Sequence, residues 1–325
     1  MVVISRQNIS SITVRNTAIF FTLSLSCLCA IPSSAQQTPY FSQWYYNKVY
    51  YNTAFAPLEG RSEILATYRS MWSSIEGAPH TAAIIGRMPL FSSQGAGSAM
   101  IGYDRAGGFS TLVARIGYAY SLQIGKSSIS IGLTGGITRL GVDDKWNSSM
   151  PDDPYIPTDR TSSTAPQLGV GIAMWSKRYY IGLSSIHTLE FSHNLTDALS
   201  LKQKNHIFFM GGYSWDIGRD ISLCPSGLLG SDMTTLSLTA NLSTIIKRRL
   251  IAGLSYGNER SFGINVGYIW KELQVNYCYQ TGISGLASST GGSHEVLLIY
   301  RPSPKERKKT SAPPPSAVIR DVRFL

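Results

Sequence analysis

Charge is scarce in this chain. Only 15% of its 325 residues are Asp, Glu, Lys or Arg, against roughly a quarter in ordinary soluble domains. Gly, Ser, Thr and Tyr take the place of charge, which makes a soluble enzyme a poor fit. Long hydrophobic runs are missing as well. Past residue 35 no apolar stretch approaches the ~18 residues of a membrane-spanning helix, so the chain is not a helical membrane protein. Cysteine is sparse: of four, Cys27 and Cys29 lie in the first 35 residues, leaving Cys224 and Cys278. Those two fall in separate apparent strands and read as small unpaired hydrophobes. They and the five histidines show no zinc-ligand spacing. Gly95, Gly97, Gly102, Gly107 and Gly108 lack the spacing of a phosphate-binding loop. No cofactor and no metal is therefore expected.

The first 35 residues read as an export signal. Arg6 and Arg15 make a basic start, Ala18 to Ile31 is apolar, and Ser33-Ser34-Ala35 supplies the small residues of a cleavage site before Gln36. The net charge is +10. Much of it lies at the far end, where from Arg301 onward seven basic residues face two acidic ones. An exported protein rarely meets nucleic acid, so such a tail fits an acidic periplasmic partner or anionic headgroups.

The dominant positive signal is alternation with period two. Leu112, Ala114, Ile116, Tyr118, Tyr120 and Leu122 share one face, as do Ile129, Ile131, Leu133, Gly135 and Ile137. Further runs are Ile207 to Ile217, Leu236 to Leu242, Phe262 to Trp270 and Leu273 to Tyr279. Small polar residues fill the other face, the pattern of half-buried strands. A soluble sandwich and a membrane barrel share this pattern. The run length of about 9–12 residues suits a tilted strand crossing a bilayer. Aromatic residues gather at run ends (Tyr118, Tyr120, Tyr213, Trp215, Tyr268, Trp270, Tyr277, Tyr279), as interfacial girdles require. The expected fold is all-β: a transmembrane antiparallel outer-membrane β-barrel of about 14 strands. Candidates lie near 63–71, 79–90, 97–104, 110–123, 127–141, 164–175, 178–186, 204–217, 219–229, 232–244, 248–257, 260–270, 271–280 and 293–302. An even number places both ends of the chain at the periplasmic side, with short turns there and longer loops outside. The domain plan is a signal peptide (1–35), a barrel (36–302) and a basic, Pro-rich periplasmic tail (303–325).

Two clusters invite chemistry. Ser293, His294 and Glu295 are the residue types of a hydrolase, but on a strand His294 faces away from its neighbours, so no proton relay runs through them. No catalytic residue is assigned. The acidic stretch 142–163 has oxygen ligands for calcium without the spacing of a calcium loop, and reads as an external loop.

Ordered short motifs then become visible. The start Gln37-Thr38-Pro39-Tyr40-Phe41-Ser42-Gln43-Trp44 with Asn52-Thr53-Ala54-Phe55-Ala56 resembles the opening of the PorP/SprF family, Q-x-P-x-F-S-Q-Y and then N-P-A-x-A-G. Arg69-Ser70-Met71-Trp72 with Ala78-Pro79-His80-Thr81 resembles the family's R-x-Q-W and A-P-x-T. Gly102 to Gly107, around Asp104, resembles G-x-x-x-x-D-x-x-G. Tyr277-Cys278-Tyr279-Gln280 resembles Y-S-Y-D, and Gly292-Ser293-His294-Glu295-Val296 resembles G-S-H-E-[IL]. Thr53, Ser70-Met71 and Gln280 depart from the pattern.

The resemblance implies a non-enzymatic outer-membrane component of the type IX secretion system. Its implied partners are the periplasmic ring lipoprotein and adaptor proteins, cargo with a C-terminal sorting domain, and outer-membrane lipid. Arg69, Trp72, Asp104, Ser293, His294 and Glu295 are the motif positions expected to brace the lumen or close the barrel. Lumenal Arg and Asp or Glu should pair. Arg301, Lys305, Arg307, Lys308 and Lys309 are expected to form a partner-binding tail. The polar lumen face keeps open an alternative, an outer-membrane porin or small-solute transporter.

Overall fold

Residues that alternate between apolar and small polar side chains can satisfy every backbone group inside a membrane only as a closed sheet, and that is what forms. The computed structural model describes residues 40–91, 94–143, 159–196, 199–258, 260–282 and 290–303. Its strands are β1 (Glu63–Ser70), β2 (His80–Pro89), β3 (Gly95–Ala106), β4 (Phe109–Ile124), β5 (Ser127–Val142), β6 (Thr161–Ser176), β7 (Tyr179–Ile186), β8 (Ser192–Asn194), β9 (Ser200–Lys202), β10 (His206–Tyr213), β11 (Trp215–Ile217), β12 (Ile221–Ser231), β13 (Leu236–Ile246), β14 (Leu250–Gly257), β15 (Ser261–Trp270), β16 (Leu273–Gly282) and β17 (Ser293–Tyr300). Each pairs antiparallel with its neighbours, and β10 and β11 are one wall strand interrupted at Ser214. The first and last strands close the ring, with Arg69 opposite Glu295 and Ser70 opposite His294. The wall therefore has 14 strands, and β8–β9 is a separate hairpin in the loop after β7. All fourteen segments expected from the alternation are wall strands.

The apolar face of the alternation points outward. Ile116, Ile131, Leu133, Ile137, Ile264 and Val266 are exposed on the outer wall, while Ser130, Asn241, Ser243, Asn265 and Asn276 are buried on the inner one. Exposed aromatics form two belts. Tyr118, Tyr120, Tyr213, Trp215, Tyr268, Trp270 and Tyr300 lie toward the end where the wall starts and finishes. Tyr68, Tyr103, Tyr256, Tyr277 and Tyr279 lie toward the other. The hairpin turns at the first end are short and those at the second include the long ones, so the first is the periplasmic end. Among the described residues no helix is long and apolar enough to cross a membrane. Cys224 and Cys278 are not joined to each other. The signal segment, residues 144–158 of the acidic stretch, and Lys305, Arg307, Lys308 and Lys309 lie outside the described residues.

The wall begins at Glu63, within the first expected strand. The chain before it occupies the lumen: Tyr40 to Asn47, a one-turn helix α1 (Lys48–Tyr51), and two 3-10 turns at Thr53–Phe55 and Leu58–Gly60. The first described residue, Tyr40, is held by Arg69 next to the outer end of β1. The segment thus starts high in the barrel and descends to the periplasmic end.

Candidate functional site: the lumen plug and the outer vestibule

The segment 40–60 is dense in aromatics and lacks alternation, so it cannot serve as a wall strand. Its side chains form the core of the molecule. Phe41, Trp44, Tyr45, Tyr46, Tyr50, Tyr51 and Phe55 are buried, packed against Leu65, Ile85, Met100, Phe208, Met210, Leu228, Leu297 and Ile299 of the wall. Ring pairs set the packing: Phe41 lies edge-on to Tyr50 at 5.1 Å, Tyr51 to Phe208 at 5.1 Å and Phe55 to Tyr180 at 5.7 Å. Such pairs add about 0.5–1.5 kcal/mol each beyond their buried area.

The small residues of the inner face are the seat of this plug. A Cβ placed on Gly132 would lie 2.5 Å from the backbone nitrogen of Ala54, and one on Gly182 would lie 2.6 Å from the Phe55 ring. Asn52 pins the same stretch. Its side chain caps the 3-10 turn by accepting from the Ala54 amide at 2.9 Å, and it donates to the carbonyls of Ile172 (3.0 Å) and Leu183 (3.2 Å). Ser184 Oγ donates to the Tyr51 carbonyl at 2.7 Å.

Two anchors hold the ends. At the top, Glu295 is buried and accepts from the backbone amides of Ser42 (2.6 Å) and Gln43 (3.0 Å). Its cross-strand neighbour Arg69 donates to the Tyr40 carbonyl and to Gln280 Oε1 (2.7 Å), which also accepts from Ser42 Oγ (2.8 Å). At the bottom, Glu63 bridges Arg87 (3.0 Å) and Arg301 (2.7 Å), while Arg87 also donates to the carbonyls of Ala56 and Leu58. This cluster ties the plug's exit, both closing strands and β2 together.

Lys48 is buried inside the plug, donating to the Tyr45 carbonyl, with its ammonium 4.8 Å from the centre of the Tyr180 ring. Burial lowers its pKa to about 8, partly offset by Glu59 and Glu63.

Above the plug lies an outer vestibule, a cavity of about 380 Å³ between the wall from β2 to β6 and the loop that follows β7. Arg115 and Tyr50 line it together with Asp104, Thr138, Gln167, His187 and Gln203. Burial, then the Arg115 charge and His206, hold the His187 imidazole down to about 3, so it is neutral.

The motif residues separate on this frame. Arg69 and Glu295 enter the lumen at the closing seam and grip the plug. Ser293 is buried at the same seam, and its Oγ accepts from the Trp72 amide at 3.4 Å. His294 lies on the outer face, bonded to the Tyr277 hydroxyl at 2.7 Å. Ser293 and Glu295 thus face away from His294, and Glu295 is committed to the plug's amides. Trp72 is exposed at the rim in a left-handed conformation. Asp104 lies two strands from the seam, lining the vestibule and accepting from Thr81 at 2.6 Å. The expected pairing holds for Arg87 and Arg301, whereas Arg69 binds a carbonyl and an amide.

Arg301, expected to open the partner-binding tail, has its guanidinium enclosed between Glu63 and Gln274 (2.6 Å), one residue beyond the last strand. The plug residues Asn52, Tyr50 and Lys48 were missed as site residues. The available signal was the aromatic cluster between a signal peptide and the first alternating run.

A closed 14-strand wall, an apolar outer face between two aromatic belts and a folded segment in the lumen define an outer-membrane β-barrel with an internal plug. The family model for the type IX secretion system membrane proteins PorP/SprF matches residues 33–300. The chain belongs to that family, and its place is the outer membrane. No functionally curated protein matches it. Solved structures of similar outline include Omp33 of Acinetobacter baumannii (TM-score 0.46, 8% identity, 74% of this chain and 97% of that one). A FadL homologue of Pseudomonas aeruginosa (0.46, 10%, 81% and 94%) and the toluene transporter TodX of P. putida (0.42, 10%, 77% and 92%) are others. Likeness at that level carries no functional information.

Proposed function

We propose that this protein is a non-enzymatic docking component of the type IX secretion system. It offers surfaces on both sides of the outer membrane and no passage for cargo. The observation that carries the reading is the filled lumen. A plug anchored at Glu295, Asn52 and Arg87 leaves small spaces below the vestibule, of about 20 Å³ and 10 Å³.

Charge supports the periplasmic half of the reading. The turns at that end expose Lys126, Lys177-Arg178, Arg219, Lys247-Arg248-Arg249 and Lys271, with Asp220 and Glu272 as the acids among them. Clustered positive charge steers an acidic partner and speeds its association. The tail with Lys305, Arg307, Lys308 and Lys309 extends the same charge in sequence. The periplasmic ring lipoprotein and its adaptors are the proposed occupants. Export or surface attachment of cargo with a C-terminal sorting domain is the process they serve.

The test is native co-purification in mild detergent. Reversing Lys177-Arg178 and Lys247-Arg248-Arg249 to Glu, with residues 303–325 deleted, should abolish recovery of ring lipoproteins while the barrel still shows heat-modifiable mobility. Undiminished recovery would overturn the docking role.

A further inference from the structure

The outer vestibule holds a feature that docking does not use. Arg115 projects from β4 into its floor and is more than nine-tenths buried. Its contacts are the Met100 sulfur (3.0 Å) and the face of the Tyr50 ring, 5.0 Å from the guanidinium carbon. Neither is a counter-charge, and its Nε has no partner among the described residues. A guanidinium stays protonated at any physiological pH, and burying it without an opposite charge is costly. The arginines at the periplasmic end are treated differently, since Arg87 and Arg301 share Glu63, and the buried Arg69 and Lys48 each donate to a backbone carbonyl.

The groups around Arg115 are ordered. Gln203 donates to Thr138 Oγ1 (3.1 Å), Thr138 donates to Gln167 Oε1 (3.4 Å), and Gln167 Nε2 meets His187 Nε2 at 3.4 Å. This chain fixes the side chains, and His187 Nδ1, also buried, has no hydrogen-bond partner among the described residues. The cavity is of the size that binding pockets take, and polar side chains from β2 to β6 and from the loop after β7 converge on it between apolar ones such as Val113, Leu140 and Ile186. Asp104 stands four residues nearer the mouth than Met100, the cross-strand partner of Arg115.

We propose that the vestibule is a binding site for a small solute carrying one carboxylate or phosphate group. The anionic group sits on Arg115 beneath His187, and a hydroxyl or ammonium of the same molecule donates to Asp104 toward the mouth. Arg115 supplies charge and a planar pair of donors. Tyr50 couples the site to the plug, because the ring under the guanidinium belongs to α1. The inference goes beyond the docking role and stands whether or not that role does.

Calorimetry on the full-length barrel in mild detergent tests it, with glycerol 3-phosphate and lactate as probes and glycerol as the uncharged control. Saturable one-site binding of at least one anion, with none of glycerol, is expected. Arg115→Gln should weaken it tenfold or more, and Arg115→Lys should retain part of it. The Arg115→Gln barrel removes an uncompensated charge and should fold at least as stably. His187→Phe, which narrows the cavity and leaves Arg115 in place, should also weaken binding tenfold. Absence of saturable binding for both anions would overturn the proposal, as would equal affinity in the wild type and in both Arg115→Gln and His187→Phe. Comparing the two anions assigns the solute to the phosphate or the carboxylate class.

Discussion

Each end of this barrel carries a carboxylate between two arginines, in opposite surroundings, and at the periplasmic end Glu59 stands beside it, 3.8 Å from Arg87. At the periplasmic end Glu63 sits between Arg87 and Arg301, with side-chain exposures of 8%, 6% and 12%. At the outer end Asp143 sits between Arg105 (2.8 Å) and Arg160 (2.9 Å), with exposures of 23%, 53% and 74%. The distances are alike. The difference lies in what water can do once a partner is lost. In the outer triad solvent replaces the missing charge. In the inner one it cannot, because the plug's exit and the closing strands cover the site. A shared list of contacts therefore hides unequal roles: the inner triad locks barrel and plug, the outer one decorates a loop.

The comparison breaks most visibly at Glu63. Glu63→Ala leaves the enclosed Arg301 without a carboxylate and the buried Arg87 with only Glu59, 3.8 Å away, and should cost about 3 kcal/mol. Urea unfolding of the protein in liposomes reads this, and a loss below about 1 kcal/mol would mean the triad is solvated after all.

Lys48 tests the same burial from inside the plug. Its folded pKa of about 8 lies below the ordinary value of 10.5. The unfolded chain therefore holds a proton that the folded chain releases, and stability rises with pH across that window. The penalty is fully present below pH 8. Between pH 8 and 9.5 the gain should be about 1.5 kcal/mol, and Lys48→Met should remove this slope. The window stops short of pH 10 because buried Tyr50 is raised to about 12 by burial. Its unfolded form ionises first, which works in the other direction. An identical pH profile in Lys48→Met would show that water reaches the plug.

The wall was legible and its contents were not, for one physical reason. Strands write a period-two pattern that survives without knowledge of partners, and Leu112 to Leu122 or Phe262 to Trp270 identify themselves. The plug has no period of its own. Tyr40 to Phe55 takes its shape from Gly132, Gly182, Asn52's two carbonyl partners and the Glu295 carboxylate, all distant in sequence. The inner Gly and Ser residues leave open whether the lumen is empty or plugged, and the small side chains at Gly132 and Gly182 make room for the plug. Glu295 was flagged by its motif, yet its partners, two amides more than 250 positions away, lie beyond any local pattern. Arg301 reads as tail because it borders a basic stretch, and only the closed ring brings it to Glu63.

The smallest expected effect lies at the outer end. Asp143→Asn removes the carboxylate between Arg105 and Arg160, both well exposed. Exposed pairs contribute about 0.2–1 kcal/mol, and salt screens them. The loss should therefore stay under about 1 kcal/mol and vanish in 1 M salt, at which the Debye length falls to about 3 Å. Glu63→Ala should keep most of its cost in the same salt, because burial shields that triad from counter-ions. Measuring both variants at low and high salt separates the triads by mechanism as well as by size. If Asp143→Asn cost several kcal/mol irrespective of salt, the outer loop would have to be packed down over the vestibule, and the two ends of the barrel would be alike.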